Sequence, residues 1–319
     1  MRQGTTAPSG VDRRAQAAAG VTVLLWASAF VSIRSAAPHF APGALALGRL
    51  LTGSVALGAI MLLRREGWPA RAAWPGIAVA GLLWFGLYTF ALSWGEQEVD
   101  AGTAALVVNV GPIVIALLGG WLLKEGFPPR LLAGLAVSFA GAAVVGLSMS
   151  DGDGSSVVGM LLCLLAAVAY GAGVVAQKPA LRHASALQVT AFGCIAGTVA
   201  CLPFSGLLVS TIADAPATAT LNVVYLGVFP TALAFTTWAY ALARTSAGKM
   251  GATTYAVPPL VVVMSWAVLD EVPGWLTLVG GALCLAGVAV SRRRGRPPEV
   301  AAEAPPASLA ADEELVGGN

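Results

Sequence analysis

The sequence predicts an all-α integral membrane protein, with ten transmembrane helices arranged as two inverted five-helix repeats (5+5). Three observations carry that prediction. The 319 residues are 57% hydrophobic and only 11% charged, against roughly 25% charged in a soluble domain. The apolar residues gather into ten continuous runs. One proline-bearing run also recurs 146 residues later, from Pro112 to Pro258.

A helix needs about 20 apolar residues to cross the hydrocarbon core of a bilayer. The runs cover 17–37, 42–63, 73–94, 101–123, 130–149, 156–177, 186–210, 218–242, 247–269 and 273–291. The first follows Arg13 and Arg14 and is longer than the apolar core of a signal peptide. The others are separated by short links holding Gly, Pro, Asp, Glu, Arg or Ser. Spanning strands are excluded, because the runs are continuous rather than alternating and twice a barrel strand's length. The fifth run, with "GLAVSFAGAAVVG" from Gly134, is rich in the small residues that let helix backbones approach closely in lipid. Residues 1–16 and 292–319 read as polar cytoplasmic tails, flanking a first repeat at 17–149 and a second at 150–291. Cys163, Cys194, Cys201 and Cys284 lie inside apolar runs and read as small buried hydrophobes.

Orientation follows from the basic residues, which stay cytoplasmic during insertion. With the N-terminus placed inside, 16 of the 18 Lys and Arg residues fall on one side, and only Arg34 and Arg49 lie within spans. The opposite links are acidic: Glu96, Glu98 and Asp100, then Asp151 and Asp153, Asp214, and Asp270 with Glu271. Both termini are therefore expected in the cytoplasm, with the chain crossing the inner (plasma) membrane many times.

The repeat is read without gaps. A shift of 146 carries Ala101-Gly102 onto Ala247-Gly248, Pro112 onto Pro258, Glu125 onto Glu271 and Gly134 onto Gly280. The first and sixth runs match more loosely, Trp26 lying near Tyr170. Five spans per unit is odd, so the second unit must lie inverted. Proline lacks an N–H and frees a carbonyl one turn earlier. In lipid such a break is tolerated where other helices or a wet cavity satisfy the freed group. Inverted repeats built around interrupted helices mark secondary transporters.

An intramembrane charge is a functional candidate, which points to Arg49, whereas Arg34 is expected to snorkel outward. Aromatic and polar groups deep in the runs extend the expected substrate pathway to Trp26, Ser28, Trp84, Tyr88, Asn109, Pro112, Tyr170, Trp238, Thr254, Tyr255 and Pro258. Trp68, Trp74, Trp94 and Trp275 at run ends read as interfacial anchors. Glu125 and Glu271 read as residues that order helix ends. All 16 acidic residues fall in tails, links or run ends, so no buried coupling carboxylate is expected. There is no "GxxxxGK[ST]" phosphate loop and no nucleophile–base or metal-ligand constellation, so neither an enzyme nor a cofactor is expected. The net charge of +2 gives no reason to expect nucleic acid. The expected partners are a small-molecule substrate and the lipid bilayer. A channel or a non-transporting membrane protein is the alternative, and a membrane-embedded enzyme a more distant one.

At these residues the chain resembles the EamA-like family of the drug/metabolite transporter superfamily. The resemblance rests on "WASAFVSIRSA" and "GRLLTGSVAL", then "AGTAALVVNVGPIVIALLGGWLLKE", "YLGVFPTALAFTTWAYAL" and "VPPLVVVMSWAVLDEVPGW", in that order over about residues 17–291. It implies a 5+5 fold with a central cavity between the halves. It also implies export or exchange of small metabolites, amino acids or related compounds, by alternating access, with drugs as a further class. The doubled proline Pro258-Pro259, where the first copy has one, departs from the internal pattern.

Overall fold

The computed structural model describes residues 13–124, 126–127, 129–148, 154–271 and 274–292. Most of both tails, Glu125, Asp151 and Asp153 lie outside the described residues. The described chain is helical with no strand. The helices are α1 (Arg13–Ala36), α2 (Pro42–Arg64), α3 (Arg71–Glu98), α4 (Ala101–Leu122), α5 (Pro129–Ser148), α6 (Gly154–Ala180), α7 (Ala186–Asp214), α8 (Ala217–Ala243), α9 (Ala247–Leu269) and α10 (Trp275–Arg292). Helix α1 starts at Arg13, earlier than the expected tail boundary.

Eight of these helices contain stretches long and apolar enough to cross a bilayer; α5 and α10 carry shorter apolar stretches, Leu132–Gly141 and Leu278–Gly287. Among the described residues, α5 and α10 pack along each other more extensively than any other pair. Helix starts follow local chemistry. Asp100 accepts from the Thr103 amide at 2.9 Å to cap α4, and Ser185 forms a reciprocal capping box with Gln188 on α7.

Packing exchanges equivalent helices between the halves. Helix α1 packs against α8 and α9, while α6, its counterpart, packs against α3 and α4. Helix α2 meets α7, and α4 meets α9. The irregular turns obey the same relation. Helix α3 widens into a π turn over Gly81–Leu87, and α8 does so over Gly227–Leu233, 146 residues on at both ends. Such wide turns recur at functional sites because they rotate the side chains that follow. The first of them needs glycine for close approach: a Cβ built on Gly81 would stand 2.8 Å from the Gly193 carbonyl oxygen of α7. A Cβ on Gly227 would stand 1.8 Å from Thr52 Oγ1 and 2.6 Å from the Arg49 carbonyl oxygen of α2.

The expected mid-span breaks lie just before the prolines rather than at them. Helix α4 is interrupted at Asn109 and Val110, and Pro112 sits in the first turn of its second segment, Gly111–Leu122. Helix α9 tightens into a 3-10 turn over Ala252–Ala256, and Pro258 opens the segment Val257–Leu269. Proline is favoured there because the first-turn N–H has no helical partner to lose.

Candidate functional site

The two interrupted helices meet α1, α3 and α6 around one central cavity. Trp26, Phe30, Trp84, Tyr88, Ala105, Val108, Asn109, Tyr170, Thr254 and Val257 line an empty volume of about 390 Å³, its open mouth included. Six of the sequence-predicted residues therefore share one wall: Trp26, Trp84, Tyr88, Asn109, Tyr170 and Thr254.

The wall is built from crossed aromatic rings. Trp26 stands edge-on to Trp84 at 5.8 Å and to Tyr170 at 6.3 Å, and Trp84 lies 5.4 Å from Tyr170. Tyr88 extends the group, 6.0 Å from Tyr170. Edge-to-face pairs of this kind contribute about 0.5–1.5 kcal/mol each beyond their buried area. Gly111 makes room for Tyr170, since a Cβ there would fall 2.3 Å from the ring. Local breaks supply polarity. Trp26 Nε1 and Asn109 Nδ2 are buried with no hydrogen-bond partner, and the Tyr170 hydroxyl lies beside Thr254 without forming a hydrogen bond. The cavity thus offers apolar faces together with unsatisfied donors, the combination that orients a small amphipathic ligand.

The remaining predicted residues are placed elsewhere. Trp238 is fully buried behind the wall, its ring 4.8 Å from Trp26. Ser28 faces α8, where its hydroxyl is 2.6 Å from the Tyr225 hydroxyl. Tyr255 is buried but not among the lining residues. Pro112 and Pro258 act on the backbone, in the first turns that follow the breaks. Arg49 is buried, and its Nε donates to Thr231 Oγ1 at 2.8 Å on the π turn of α8.

Arg34, partly exposed at the end of α1, is also held in place: its Nε donates to Glu271 Oε1 at 2.8 Å, and its Nη1 to the Glu96 carbonyl at 2.9 Å. Glu271 also accepts from Ser265 at 3.0 Å and from the Ala101 amide at 3.4 Å. This cluster ties the ends of α1, α3 and α9 to the start of α4, where the helix dipole favours a carboxylate. One expectation about charge is corrected: Glu96 is completely buried with both carboxylate oxygens unpartnered. Sequence reading placed it in a solvated link because it stands only two residues from the end of α3.

Trp68, before α3, and Trp275, at the start of α10, are exposed, as anchors would be. Cys163, Cys194 and Cys201 are buried and free. No group of three or more His, Cys, Asp or Glu side chains able to hold a metal occurs among the described residues.

Comparison with known proteins agrees with this architecture. The chain is 39% identical over 277 residues to a protein of Streptantibioticus cattleyicolor named probable terminal-alkyne amino-acid exporter, covering 86% of this chain and 92% of that one. It is 33% identical over 264 residues to the uncharacterized transporter YdfC of Bacillus subtilis, covering 83% and 86%. A probable amino-acid metabolite efflux pump of Salmonella typhimurium is 25% identical over 281 residues, covering 85% and 92%. A crystal structure that is 23% identical shares the fold at a TM-score of 0.67, covering 88% of this chain and 98% of that one. The EamA-like transporter family profile matches twice, over residues 15–147 and 157–293, and the chain belongs to that family.

Proposed function

We propose that the protein is a secondary transporter that exports or exchanges small amino-acid-type metabolites by alternating access. In this reading ten spanning helices form two inverted five-helix halves, with the boundaries drawn at 17–149 and 150–291. Both termini face the cytoplasm of the plasma membrane, and the chemistry is transport rather than catalysis. The observation that carries the reading is the aromatic cavity, which sits where the interrupted helices α4 and α9 meet, with the Arg34–Glu271 pair four residues beyond Phe30 on α1. The exchange of equivalent helices between halves supports inversion, because a five-helix unit with an odd number of crossings returns on the opposite side. The names of the relatives support an amino-acid-type cargo.

The test is counterflow in proteoliposomes. Vesicles preloaded with an unlabelled amino acid should accumulate the labelled one transiently, saturably and with competition among related compounds. Uptake equal to protein-free vesicles across an amino-acid panel would overturn the reading. Rapid flux without counterflow or competition would make the protein a channel instead.

A further inference from the structure

The aromatic cavity accounts for a substrate's apolar body but not for the two buried charges beside it. Arg49 is 2% exposed and Glu96 0%. Arg49 Nη1 and both Glu96 oxygens have no partner, and the two side chains form no ion pair although each lies within the other's electrostatic field. Tyr88, which lines the cavity, lies within electrostatic reach of both.

The fold does not require these charges. Helix α7, the counterpart of α2, has no Lys or Arg along its length, and α8, the counterpart of α3, has no Asp or Glu. Holding an uncompensated ion out of water costs several kcal/mol. A pair of opposite charges close enough to interact, yet left separate, is matched by a ligand that carries both signs a short distance apart.

We propose that Arg49 and Glu96 form a receptor for a zwitterionic α-amino-acid head group. Arg49 Nη1 donates to the ligand carboxylate, and Glu96 accepts from its ammonium. Glu96 stands eight residues beyond Tyr88 on α3, about 12 Å along a helix axis. The head group therefore binds between Tyr88 and the Arg34–Glu271 cluster, and the ligand side chain enters the aromatic cavity. This inference rests on the amino-acid transport proposed above and adds the basis of selection: an amine or an acid alone leaves one of the buried charges unmatched.

The test compares L-norleucine with pentylamine and hexanoate, which lack its carboxylate and its ammonium respectively. Their competition against labelled norleucine is measured on purified protein and in counterflow. Wild type should prefer norleucine over either fragment by at least about tenfold, the scale of one lost charged hydrogen bond. Glu96→Gln, which removes no existing contact, should bring hexanoate within about threefold of norleucine while the preference over pentylamine persists. Arg49→Lys, which keeps the charge and so protects the fold, should weaken discrimination against pentylamine. Norleucine exchange with fragment preferences unchanged in Glu96→Gln overturns this inference and leaves transport intact. Absence of exchange for every amino acid tried in wild type overturns the transport reading and this one with it.

Discussion

Arg34 and Lys178 occupy equivalent places at the ends of α1 and α6, and each donates to a carbonyl at the same register of the third helix of its own half, α3 or α8. Arg34 reaches Glu96 at the end of α3, and Lys178 reaches Leu242, 146 residues on, at the end of α8. Arg34 also donates to the Glu271 carboxylate, and Lys178 also donates to the Thr245 carbonyl.

The Arg34–Glu271 pair predicts which face loosens on mutation. Glu271→Gln removes the ion pair and weakens three hydrogen-bonding contacts, with an effect on closure of about 1 kcal/mol for a partly exposed pair. A Val257→Cys probe in the cavity wall, in a background without native cysteines, should react with maleimide several-fold faster from the face where α1 ends. The exchange Arg34→Glu with Glu271→Arg should restore much of the wild-type rate. Equal labelling in all variants would show that the pair does not hold that face shut.

Close approach of α2 and α8 predicts intolerance at Gly227. Gly227→Ala places a methyl group on Thr52 and the Arg49 backbone. It should lower stability by about 1–3 kcal/mol. Gly206 has open space around it, and Gly206→Ala should leave the melting temperature in detergent within a degree or two. Similar melting of the two variants would contradict the packing of α2 on α8.

The aromatic wall separates stability from transport. Trp84 is almost completely buried and contacts Trp26, Tyr170 and Phe235, so Trp84→Ala should cost about 3–5 kcal/mol and reduce folded yield. Asn109→Leu instead removes an amide whose buried Nδ2 has no partner, so it should leave the melting temperature unchanged or higher while lowering exchange about tenfold. A large loss of stability in Asn109→Leu would mean that the amide serves the fold.

Charge asymmetry predicts topology directly. Alkaline phosphatase fused after Asn319 should be inactive and a fluorescent protein fused there bright, as for a cytoplasmic end. The reverse pattern would refute the orientation.

What the sequence could and could not express has physical causes. Long apolar runs and the repeated proline register are written directly in residue order, and the helices α1–α4 and α6–α9 follow those runs closely. Trp26, Trp84, Tyr88, Asn109, Tyr170 and Thr254 could be named in advance because a bulky or polar group deep in an apolar run has few uses. Glu96 could not, since a carboxylate two residues from a helix end reads as solvated until the neighbouring helices are placed over it. The ion pair of Arg34 was hidden for the same reason: its partner Glu271 is 237 residues away. The π turns escaped because one extra residue barely disturbs a hydrophobic run that is apolar on every side.

Those wide turns also record the order of events in the history of the chain. An additional residue in a helix arises by insertion, and the two turns coincide at both ends under the same shift. One insertion before doubling explains this with a single event, where two later insertions would have to strike matching positions independently. On that account the half-length ancestor carried the rotated third helix and doubling passed it to both copies. Arg49 and Glu96 then mark where the two copies differ, since the matching positions hold Ile195 and Leu242.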